Sequence, residues 1–298
     1  MLPPMQLNQV TLIGMGLLGG SLGLALQKHG LAKRVVAYVR RSSSIAEAEQ
    51  LQVAHHATQD IEDAVQDADL VILCTPLAQM RPLADAMIPY LKRGTLVTDV
   101  GSVKAKIVQE LEPLFQKAGS HFVGSHPMAG GERMGMSAAK VDLFQNAICI
   151  ITPTRETLPT HYQTLLSLWT KVGGVPLKLT PEKHDDLVSR ASHLPHVVAS
   201  ELAHYVLSPV QPPEQAMLCA GGFRDTTRIA SGSPEMWRDI CLSNSANLSR
   251  VLSVFIESLE EFRHSLDSGD SKAIEEFFEK AKDRRDRWIQ RGGSQQLE

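Results

Sequence analysis

Val10-Thr11-Leu12-Ile13-Gly14-Met15-Gly16-Leu17-Leu18-Gly19-Gly20-Ser21 is the stretch that decides the fold of this chain. Its apolar beginning predicts a short strand that is buried on both faces, and the glycines that follow fit the pattern G-x-G-x-x-G. The apolar residues after the glycines recur at helical spacing and predict a helix that ends near Gly30. A strand, a glycine turn and a helix in this order predict the start of a Rossmann-type α/β domain.

The glycine turn is a candidate binding site for a dinucleotide cofactor. Gly14 allows the tight turn, Gly16 lets a pyrophosphate approach the backbone, and Gly19 lets the helix lie close to the strand. Leu17 and Leu18 would open the helix, whose first N–H groups and positive dipole end face the phosphates. A glycine-rich turn without a ligand is the alternative, but a position directly between a strand and a helix favours the cofactor.

The end of the second predicted strand, residues 34–39, indicates which dinucleotide binds. An NAD site usually has Asp or Glu there to hold the ribose 2′-hydroxyl. In this chain the position falls on Val39, and Arg40-Arg41-Ser42-Ser43-Ser44 follows without a carboxylate. Because guanidinium groups bind phosphate in a planar fork, Arg40 and Arg41 favour NADP over NAD. The alternative is that the two arginines form a solvated basic turn without a ligand. In that case NAD remains possible as the cofactor.

Strands and helices alternate up to about residue 180. Five further strands are predicted, at 69–74, 95–100, 121–124, 147–151 and 175–179. The alternation predicts a doubly wound α/β sheet, in which ligands bind at the carboxyl ends of the strands. Besides the glycine turn, four features should meet at that edge: Arg40, Thr75-Pro76, Ser102 and His126.

From Thr180-Pro181 onward the pattern becomes helical. Thr180 can cap a helix at its N-terminus, and Pro195 is expected to kink that helix. Gly221-Gly222 is expected to open a loop that reaches Arg228, and a long helical stretch begins at Pro234.

Length and composition limit the classes of protein. The 298 residues fit two domains. We place an NAD(P)-binding α/β domain at 1–180 and an all-helical substrate and dimerisation domain at 181–298, whose apolar helix faces predict a homodimer. The net charge of −3 argues against a broad nucleic-acid-binding face. No apolar run approaches the roughly 20 residues of a membrane helix, and the N-terminus lacks the pattern of a signal peptide, so we expect a cytoplasmic protein without a membrane partner.

Histidines are the first candidates for catalysis and binding. His126 can accept a proton near pH 7, or it can simply hydrogen-bond in a loop after a strand. His184, His193 and His196 lie on one predicted helix, but no H-E-x-x-H pattern and no clear third ligand supports a zinc site. These histidines either pack between helices or line a polar substrate pocket between the two domains. We favour the substrate pocket.

Two arginines, Arg224 and Arg228, flank Asp225-Thr226-Thr227. A local ion pair with Asp225 would contribute little if exposed. A guanidinium directed at a substrate carboxylate would give orientation through a bidentate pair, and we favour this role.

Five further motifs follow the glycine turn in order: Asp99-Val100-Gly101-Ser102-Val103-Lys104, Gly124-Ser125-His126-Pro127-Met128-Ala129-Gly130, Ser192-His193-Leu194-Pro195-His196, Gly222-Phe223-Arg224-Asp225-Thr226-Thr227-Arg228-Ile229-Ala230 and Met236-Trp237. Together with the glycine turn they resemble the prephenate/arogenate dehydrogenase family of tyrosine biosynthesis. The resemblance extends over about residues 7 to 290.

The resemblance implies a Rossmann domain, a helical dimerisation domain and an active site between them. It implies that hydride moves from the hydroxyl-bearing ring carbon of prephenate or arogenate to NAD(P)+, while the ring carboxylate leaves as CO2. The product is then 4-hydroxyphenylpyruvate or tyrosine. By motif, His126 takes the hydroxyl proton, and Ser102 orients the hydroxyl and the histidine. Arg228 would bind a substrate carboxylate, and His196 and Ser192 would line the pocket.

Two points stay open in the sequence. Gly131-Glu132 departs from the residues of some family members in the loop that touches the substrate, so prephenate and arogenate remain alternatives. Dehydrogenases of the β-hydroxyacid type share the two-domain order, but they rely on a lysine in the helical domain, and residues 184–271 contain none. A non-enzymatic NADP(H)-sensing protein is the other alternative, although it has little reason to keep His126, Ser102 and Arg228 together.

Overall fold

The computed structural model describes residues 7–131 and 133–291 of the chain. Contacts divide it into two compact units, one ending at Asn244 and one beginning at Ser245. Within the described residues, no helix is both long and apolar enough to cross a membrane. All site residues predicted from the sequence belong to the first unit.

A parallel sheet of six strands forms the centre of the first unit, in the order β3-β2-β1-β4-β5-β6. Its strands are β1 (Leu7–Ile13), β2 (Ala32–Tyr38), β3 (His56–Thr58), β4 (Leu70–Leu73), β5 (Leu96–Asp99) and β6 (His121–Phe122). The strand order changes direction between β1 and β4, which pair in parallel from Val10 opposite Leu70 to Ile13 opposite Leu73. Ligands of open α/β sheets bind at such a switch point, so the fold places the β1 glycine turn where a cofactor is expected.

Helices cover both faces of this sheet. They are α1 (Leu17–Lys28), α2 (Ser43–Gln50), α3 (Ile61–Val65), α4 (Leu77–Met87) and α5 (Ala105–Lys117). One apolar cluster contains Val10 and Leu12 with α1, and the other contains Ile13 with α4 and α5. Because successive strand residues point to opposite faces, β1 contributes to both cores. This arrangement confirms the doubly wound Rossmann-type domain predicted from the sequence.

The chain leaves the first sheet at Val123, and here the prediction of one continuous sheet was wrong. A second sheet pairs β7 (Gly124–Pro127) antiparallel to β8 (Ile148–Thr152), which pairs in parallel with β9 (Val175–Lys178). Helix α6 (Pro159–Lys171) joins β8 to β9. The departure requires a glycine, because a Cβ at Gly124 would lie 2.6 Å from Oγ1 of Thr152.

The rest of the first unit is helical, as predicted. It consists of α7 (Pro181–Val188), α8 (Leu194–Val206), α9 (Pro213–Met217), α10 (Gly221–Thr227) and α11 (Pro234–Ser243). Thr180 caps α7 by accepting a hydrogen bond from the backbone N–H of Lys183. The distortion expected at Pro195 is a π-helical turn over Ser189–His193, just before α8.

The loop predicted after Gly221-Gly222 is instead helix α10, so that prediction was wrong. Thr226 and Thr227 hydrogen-bond the carbonyls four residues earlier, at Gly222 and Phe223, which satisfies their hydroxyls within the helix. Two glycines at its beginning therefore mark a helix start rather than a loop.

The second unit is a pair of helices, α12 (Ser245–Ser268) and α13 (Ser271–Gln290). The ring of Phe262 on α12 lies 4.6 Å from Phe277 and 5.8 Å from Phe278 on α13, measured between centroids. The long helical stretch predicted from Pro234 is divided into two helices. Helix α11 ends at Ser243, and α12 begins at Ser245. The sequence predicts a domain boundary at residue 180, whereas the contacts divide the chain after Asn244. The boundary at residue 180 stays a prediction.

Candidate active site

The turn between β1 and α1 has the shape of a dinucleotide cradle. Gly14 has a φ of +97°, and a Cβ there would lie 2.6 Å from Cγ2 of Thr75. A Cβ at Gly19 would lie only 2.1 Å from the carbonyl oxygen of Gly14. At Gly16 a Cβ would meet no described atom within 4 Å, so the backbone there faces open space. Gly14 and Gly19 thus form a tight turn and a close helix contact, and Gly16 leaves its backbone open to solvent.

The N-terminus of α1 is prepared for an anion. Helix α1 starts at Leu17, its first turn contains no acidic residue, and no side chain caps it at Gly16. Leu17 and Leu18 place their backbone N–H groups in this first turn, where helices have unsatisfied donors and a partial positive charge. This end of the helix can hold a phosphate.

Thr75, directly after β4, gives an independent sign of a missing ligand. Its hydroxyl Oγ1 is buried and has no hydrogen-bond partner among the described residues. A buried hydroxyl without a partner is costly, so a polar group of a ligand is expected beside it. Pro76 follows as the residue before α4. The cradle, the helix N-terminus and this orphaned hydroxyl together fit a nicotinamide dinucleotide.

At the end of β2 the side chains are basic and exposed. Val39 is buried, whereas Arg40 and Arg41 are both exposed. The side-chain amide of Gln59 donates to the carbonyl of Arg40 at 2.9 Å and holds this backbone in place. No carboxylate lies between this strand and Glu47.

His126 lies within strand β7, not in a loop after a strand as the sequence suggested. Its Cα is opposite Ile150 of β8, and 7% of the residue is exposed. Burial lowers the pKa of His126 well below its usual value, and the nearby His184 and Lys104 lower it further. The strand thus holds a neutral imidazole in a fixed orientation.

His126 contacts a second buried histidine, from α7. Nδ1 of His126 lies 2.9 Å from Nε2 of His184, and Nδ1 of His184 lies 2.7 Å from Oδ1 of Asp185. The Asp185 carboxylate also accepts the backbone N–H groups of Lys104 and Ala105, at 2.7 and 2.9 Å. It therefore caps α5 and orients His184 at the same time.

A buried ion pair fixes the turn that carries Ser102. The ammonium of Lys104 pairs with the carboxylate of Asp99, and both side chains are fully buried. The same carboxylate accepts the backbone N–H groups of Gly101 at 2.8 Å and Ser125 at 3.1 Å. The Asp99 side chain thus ties the Ser102 turn to the strand of His126.

The second group of predicted site residues surrounds Trp237 of α11. The ring of His196 stacks on Trp237 with a centroid distance of 3.8 Å, and its Nδ1 lies 2.9 Å from the carbonyl of Ser192. Burial lowers the pKa of His196, and the positive charge of Arg228 also lowers it. Ser192, His196 and Arg228 are therefore neighbours, as the motifs suggest.

Asn244 and His193 connect the two groups. The amide of Asn244 donates to the carbonyl of Asp185 at 2.8 Å and lies 3.2 Å from Nδ1 of His193. His193 lies beside the backbone of Ser102, and its Nε2 is buried with no hydrogen-bond partner among the described residues. Its ring is 6.1 Å from that of Trp237, between centroids. One connected network thus extends from His126 to His196.

Ring nitrogens of the three helical histidines contact different groups: His126 and Asp185 at His184, Asn244 at His193, and the carbonyl of Ser192 at His196. Within the described residues, no group of three His, Cys, Asp or Glu side chains could hold a metal ion.

The contacts to His184, Asp185, Asn244 and Trp237 were not predicted from the sequence. His126 and His184 are 58 residues apart, and no periodicity reports a contact across that distance. The adjacent polar residues His184 and Asp185 on a predicted helix were a signal available in the sequence, and the structure buries both. Glu132 of the predicted substrate loop lies outside the described residues, whereas a Cβ at its neighbour Gly131 would lie 3.4 Å from Leu17.

Comparison with known proteins gives two matching family models. The model described as prephenate dehydrogenase, nucleotide-binding domain, matches residues 22–178. The model described as prephenate dehydrogenase, dimerization domain, matches residues 180–282.

Individual relatives match most of the chain. Prephenate dehydrogenase of Bacillus subtilis is 35% identical over 94% of this chain and 76% of its own length. Cyclohexadienyl dehydrogenase of Zymomonas mobilis is 34% identical over 92% of this chain and 94% of its own. The structure of A. aeolicus prephenate dehydrogenase with hydroxyphenyl propionate and NAD+ superimposes with a TM-score of 0.87 at 33% identity, over 93% of this chain and 97% of that one.

Proposed function

The chain belongs to the prephenate dehydrogenase family, and on that premise we propose that it oxidatively decarboxylates prephenate or arogenate with hydride transfer to a nicotinamide cofactor. The product is 4-hydroxyphenylpyruvate from prephenate or tyrosine from arogenate. The bound cofactor supplies the hydride acceptor. The residues of the chain remove the hydroxyl proton, orient the ring and bind the carboxylates.

The observation that carries this proposal is the buried, neutral His126. Hydride departs from a hydroxyl-bearing carbon readily only when the hydroxyl proton leaves as well, so the reaction needs a base near that oxygen. Burial keeps the pKa of His126 well below 6.5, so its imidazole is free to accept a proton at pH 7. As the proton moves to His126, the O–H electron pair forms the carbonyl and the hydride leaves the ring carbon. The C–CO2 bond then breaks, and its electrons enter the ring and move the carbonyl pair onto oxygen. The ring becomes aromatic, and the oxygen takes the proton back from His126 to give the phenol.

Ser102 and Arg228 complete the proposed site. Ser102 lies on the turn fixed by the Asp99–Lys104 pair, from which its hydroxyl can hydrogen-bond the substrate hydroxyl. Arg228 binds a substrate carboxylate, where a charged fork gives both affinity and orientation. His196, stacked on Trp237, and Ser192 form the wall of the pocket beside Arg228.

For the cofactor, we propose NADP in preference to NAD. Gly14, Gly16, Gly19 and the first turn of α1 would hold the phosphates, and Thr75, next to Pro76, would hydrogen-bond the cofactor. The exposed Arg40 and Arg41 would hold the 2′-phosphate, since no carboxylate stands between the end of β2 and Glu47 to hold a free 2′-hydroxyl. The NAD+ bound by the A. aeolicus relative makes NAD the alternative.

We also propose a homodimer formed by the helical region after residue 180. The family model for this region is described as a dimerization domain and begins at residue 180. Large apolar side chains are exposed there, with Val210, Met217 and Leu218 each more than 80% exposed. A surface of this kind is typical of a protein interface. The cytoplasmic location stays a prediction.

The test is a set of four assays. The purified protein is incubated with prephenate or arogenate, each paired with NADP+ or NAD+, and the absorbance of the reduced cofactor and the identity of the product are measured. We expect turnover with at least one substrate and a higher kcat/KM with NADP+. Turnover with NAD+ alone would reject the role of Arg40 and Arg41 but keep the reaction. Absence of turnover in all four assays would reject the reaction and favour an NADP(H)-sensing protein.

A further inference from the structure

The dyad of His184 and Asp185 has no role in the reaction as derived so far, although its geometry constrains His126. All three side chains are buried: His184 is 0%, Asp185 2% and His126 7% exposed. Two hydrogen bonds connect them in a row. Nδ1 of His126 lies 2.9 Å from Nε2 of His184, and Nδ1 of His184 lies 2.7 Å from Oδ1 of Asp185. Each imidazole carries one proton when neutral, so the placement of one proton determines the next.

The Asp185 end of this chain is fixed by the backbone. Oδ1 of Asp185 accepts the N–H of Lys104 at 2.7 Å, and Oδ2 accepts the N–H of Ala105 at 2.9 Å. These backbone groups can only donate, so both carboxyl oxygens act as acceptors. Nδ1 of His184, 2.7 Å from Oδ1, must therefore be the donor and carry the proton of that imidazole.

The position of the proton on His184 determines the position of the proton on His126. With its proton on Nδ1, neutral His184 has a lone pair on Nε2, which accepts a hydrogen bond. Nδ1 of His126, 2.9 Å away, must supply that proton. Nε2 of His126 is left with its lone pair and is the one atom of the imidazole that can take a proton.

We propose that His184 and Asp185 are positioning residues that hold His126 in the Nδ1–H tautomer and so make its Nε2 the atom that takes the substrate hydroxyl proton. This inference rests on the proposed function and specifies it. In the step itself, the substrate O–H bond breaks, an Nε2–H bond forms on His126, and the O–H electron pair becomes the carbonyl as hydride leaves. The charge that develops on His126 is shared with His184 through their hydrogen bond, and Asp185 stabilises it.

Substitution of Asp185 by Asn keeps the tautomer but removes the charge. The amide oxygen can take the place of Oδ1, where it accepts from Nδ1 of His184 and from the backbone N–H of Lys104. The protonated form of His126 then lacks the negative charge that stabilises it. We expect kcat of Asp185→Asn to fall by about 10–100-fold, the usual contribution of a hydrogen bond to a charged group, with little change in KM.

His184→Gln separates orientation from folding, because Asp185→Asn also alters the cap of α5. The oxygen of the glutamine side chain can accept the Nδ1 proton of His126, so this variant keeps the tautomer and loses only the support of Asp185. His184→Leu removes the acceptor altogether. We expect kcat to decrease in the order wild type, His184→Gln, His184→Leu. Asp186→Asn is the matched control, because the Asp186 carboxylate contacts exposed Arg190 at 2.5 Å.

The direct measurement is ¹⁵N NMR of histidine-labelled protein without substrate, in which the two ring nitrogens report which one carries the proton. We expect the Nδ1–H tautomer for His126 in the wild type, in His184→Gln and in Asp185→Asn, and loss of this preference in His184→Leu, which removes the acceptor. An Nε2–H signal for His126 in the wild type would overturn the proposal, and so would equal kcat values for wild type and His184→Leu. Because the NMR needs no turnover, failure of the proposed reaction would be seen separately in the four assays.

Discussion

At the scale of single residues, burial of His126 does two things. It removes the imidazole from water, which keeps it neutral at pH 7, and it places Nδ1 at 2.9 Å from Nε2 of His184. The Arg228 side chain, unlike that of His126, is exposed to solvent. It lies on a short helical turn beside His196. In the proposed function, buried His126 takes the proton and exposed Arg228 binds the substrate. Substitution of His126 should therefore change mainly kcat, and substitution of Arg228 mainly KM.

Substitution of His126 by Asn should lower kcat by about 10²–10⁴-fold and leave KM nearly unchanged, because the side chain keeps a polar group but loses the base. Steady-state kinetics with saturating cofactor measure both constants. In the wild type, kcat/KM should fall only below pH 6.5, because activity requires neutral His126, whose pKa is lowered. An unchanged kcat in the variant would refute the assignment of His126 as the base.

Replacing Arg228 with Ala should raise KM by about 10–100-fold, since a hydrogen bond between charged groups contributes about 1.5–3 kcal/mol. Arg224→Ala is the matched control, because Arg224 is an exposed arginine on the adjacent helix α10. Equal KM values for the two variants would remove Arg228 from the substrate site.

The motifs propose candidate site residues, but they do not give the contacts of these residues. His126, Ser102, Arg228, His196 and Ser192 stand in recognisable motifs, and the last three are neighbours in the structure. The partners that determine the chemistry of His126 come from α7, and the folding of β7 against α7 cannot be derived from either motif.

At the scale of elements, the β1 turn and α1 form the part of the site that sequence describes best. The requirements are local: a positive φ at Gly14, open space at Gly16 and a close backbone contact at Gly19, all within six residues. The second sheet was mispredicted because strand pairing depends on partners distant in sequence. The apolar runs 121–124 and 147–151 identify strands, but they do not indicate which sheet each strand joins.

The glycine turn offers a test that separates binding from folding. A Cβ at Gly16 meets no described atom within 4 Å, so Gly16→Ala should keep its melting temperature close to that of the wild type. It should weaken cofactor binding by about tenfold or more, because the methyl group blocks phosphate hydrogen bonds worth about 1.5–3 kcal/mol.

Gly19→Ala is the comparison. Its Cβ would lie 2.1 Å from the Gly14 carbonyl, so the turn must shift and the free energy of unfolding should fall by about 1–3 kcal/mol. Thermal melting and cofactor titration of both variants check these expectations. Loss of stability in Gly16→Ala without loss of affinity would show that this backbone position does not face the cofactor.

At the scale of the whole molecule, the buried histidines make stability depend on pH. Burial lowers the pKa of His126, His184 and His193, the last from 6.5 to about 4. Protons then bind more strongly to the unfolded chain. The stability is fully present above pH 6.5 and is lost as the pH falls toward the folded-state values.

For His193, the difference between 6.5 and about 4 corresponds to about 3 kcal/mol, at roughly 1.4 kcal/mol per pKa unit. Urea unfolding at pH 7 and pH 5 should show a lower free energy of unfolding at pH 5. His193→Gln should reduce this difference, and the same substitution at the exposed His204 serves as the control. An undiminished difference in His193→Gln would show that His193 does not contribute to it.

The central claim is that one site couples hydride transfer to decarboxylation. Its most direct test uses prephenate and arogenate labelled with deuterium on the hydroxyl-bearing ring carbon. Mass spectrometry of the reduced cofactor and measurement of released CO2 follow one turnover. The account predicts one deuterium in each reduced cofactor and one CO2 for each deuterium transferred. Reduced cofactor without deuterium, or CO2 released without reduced cofactor, would contradict it.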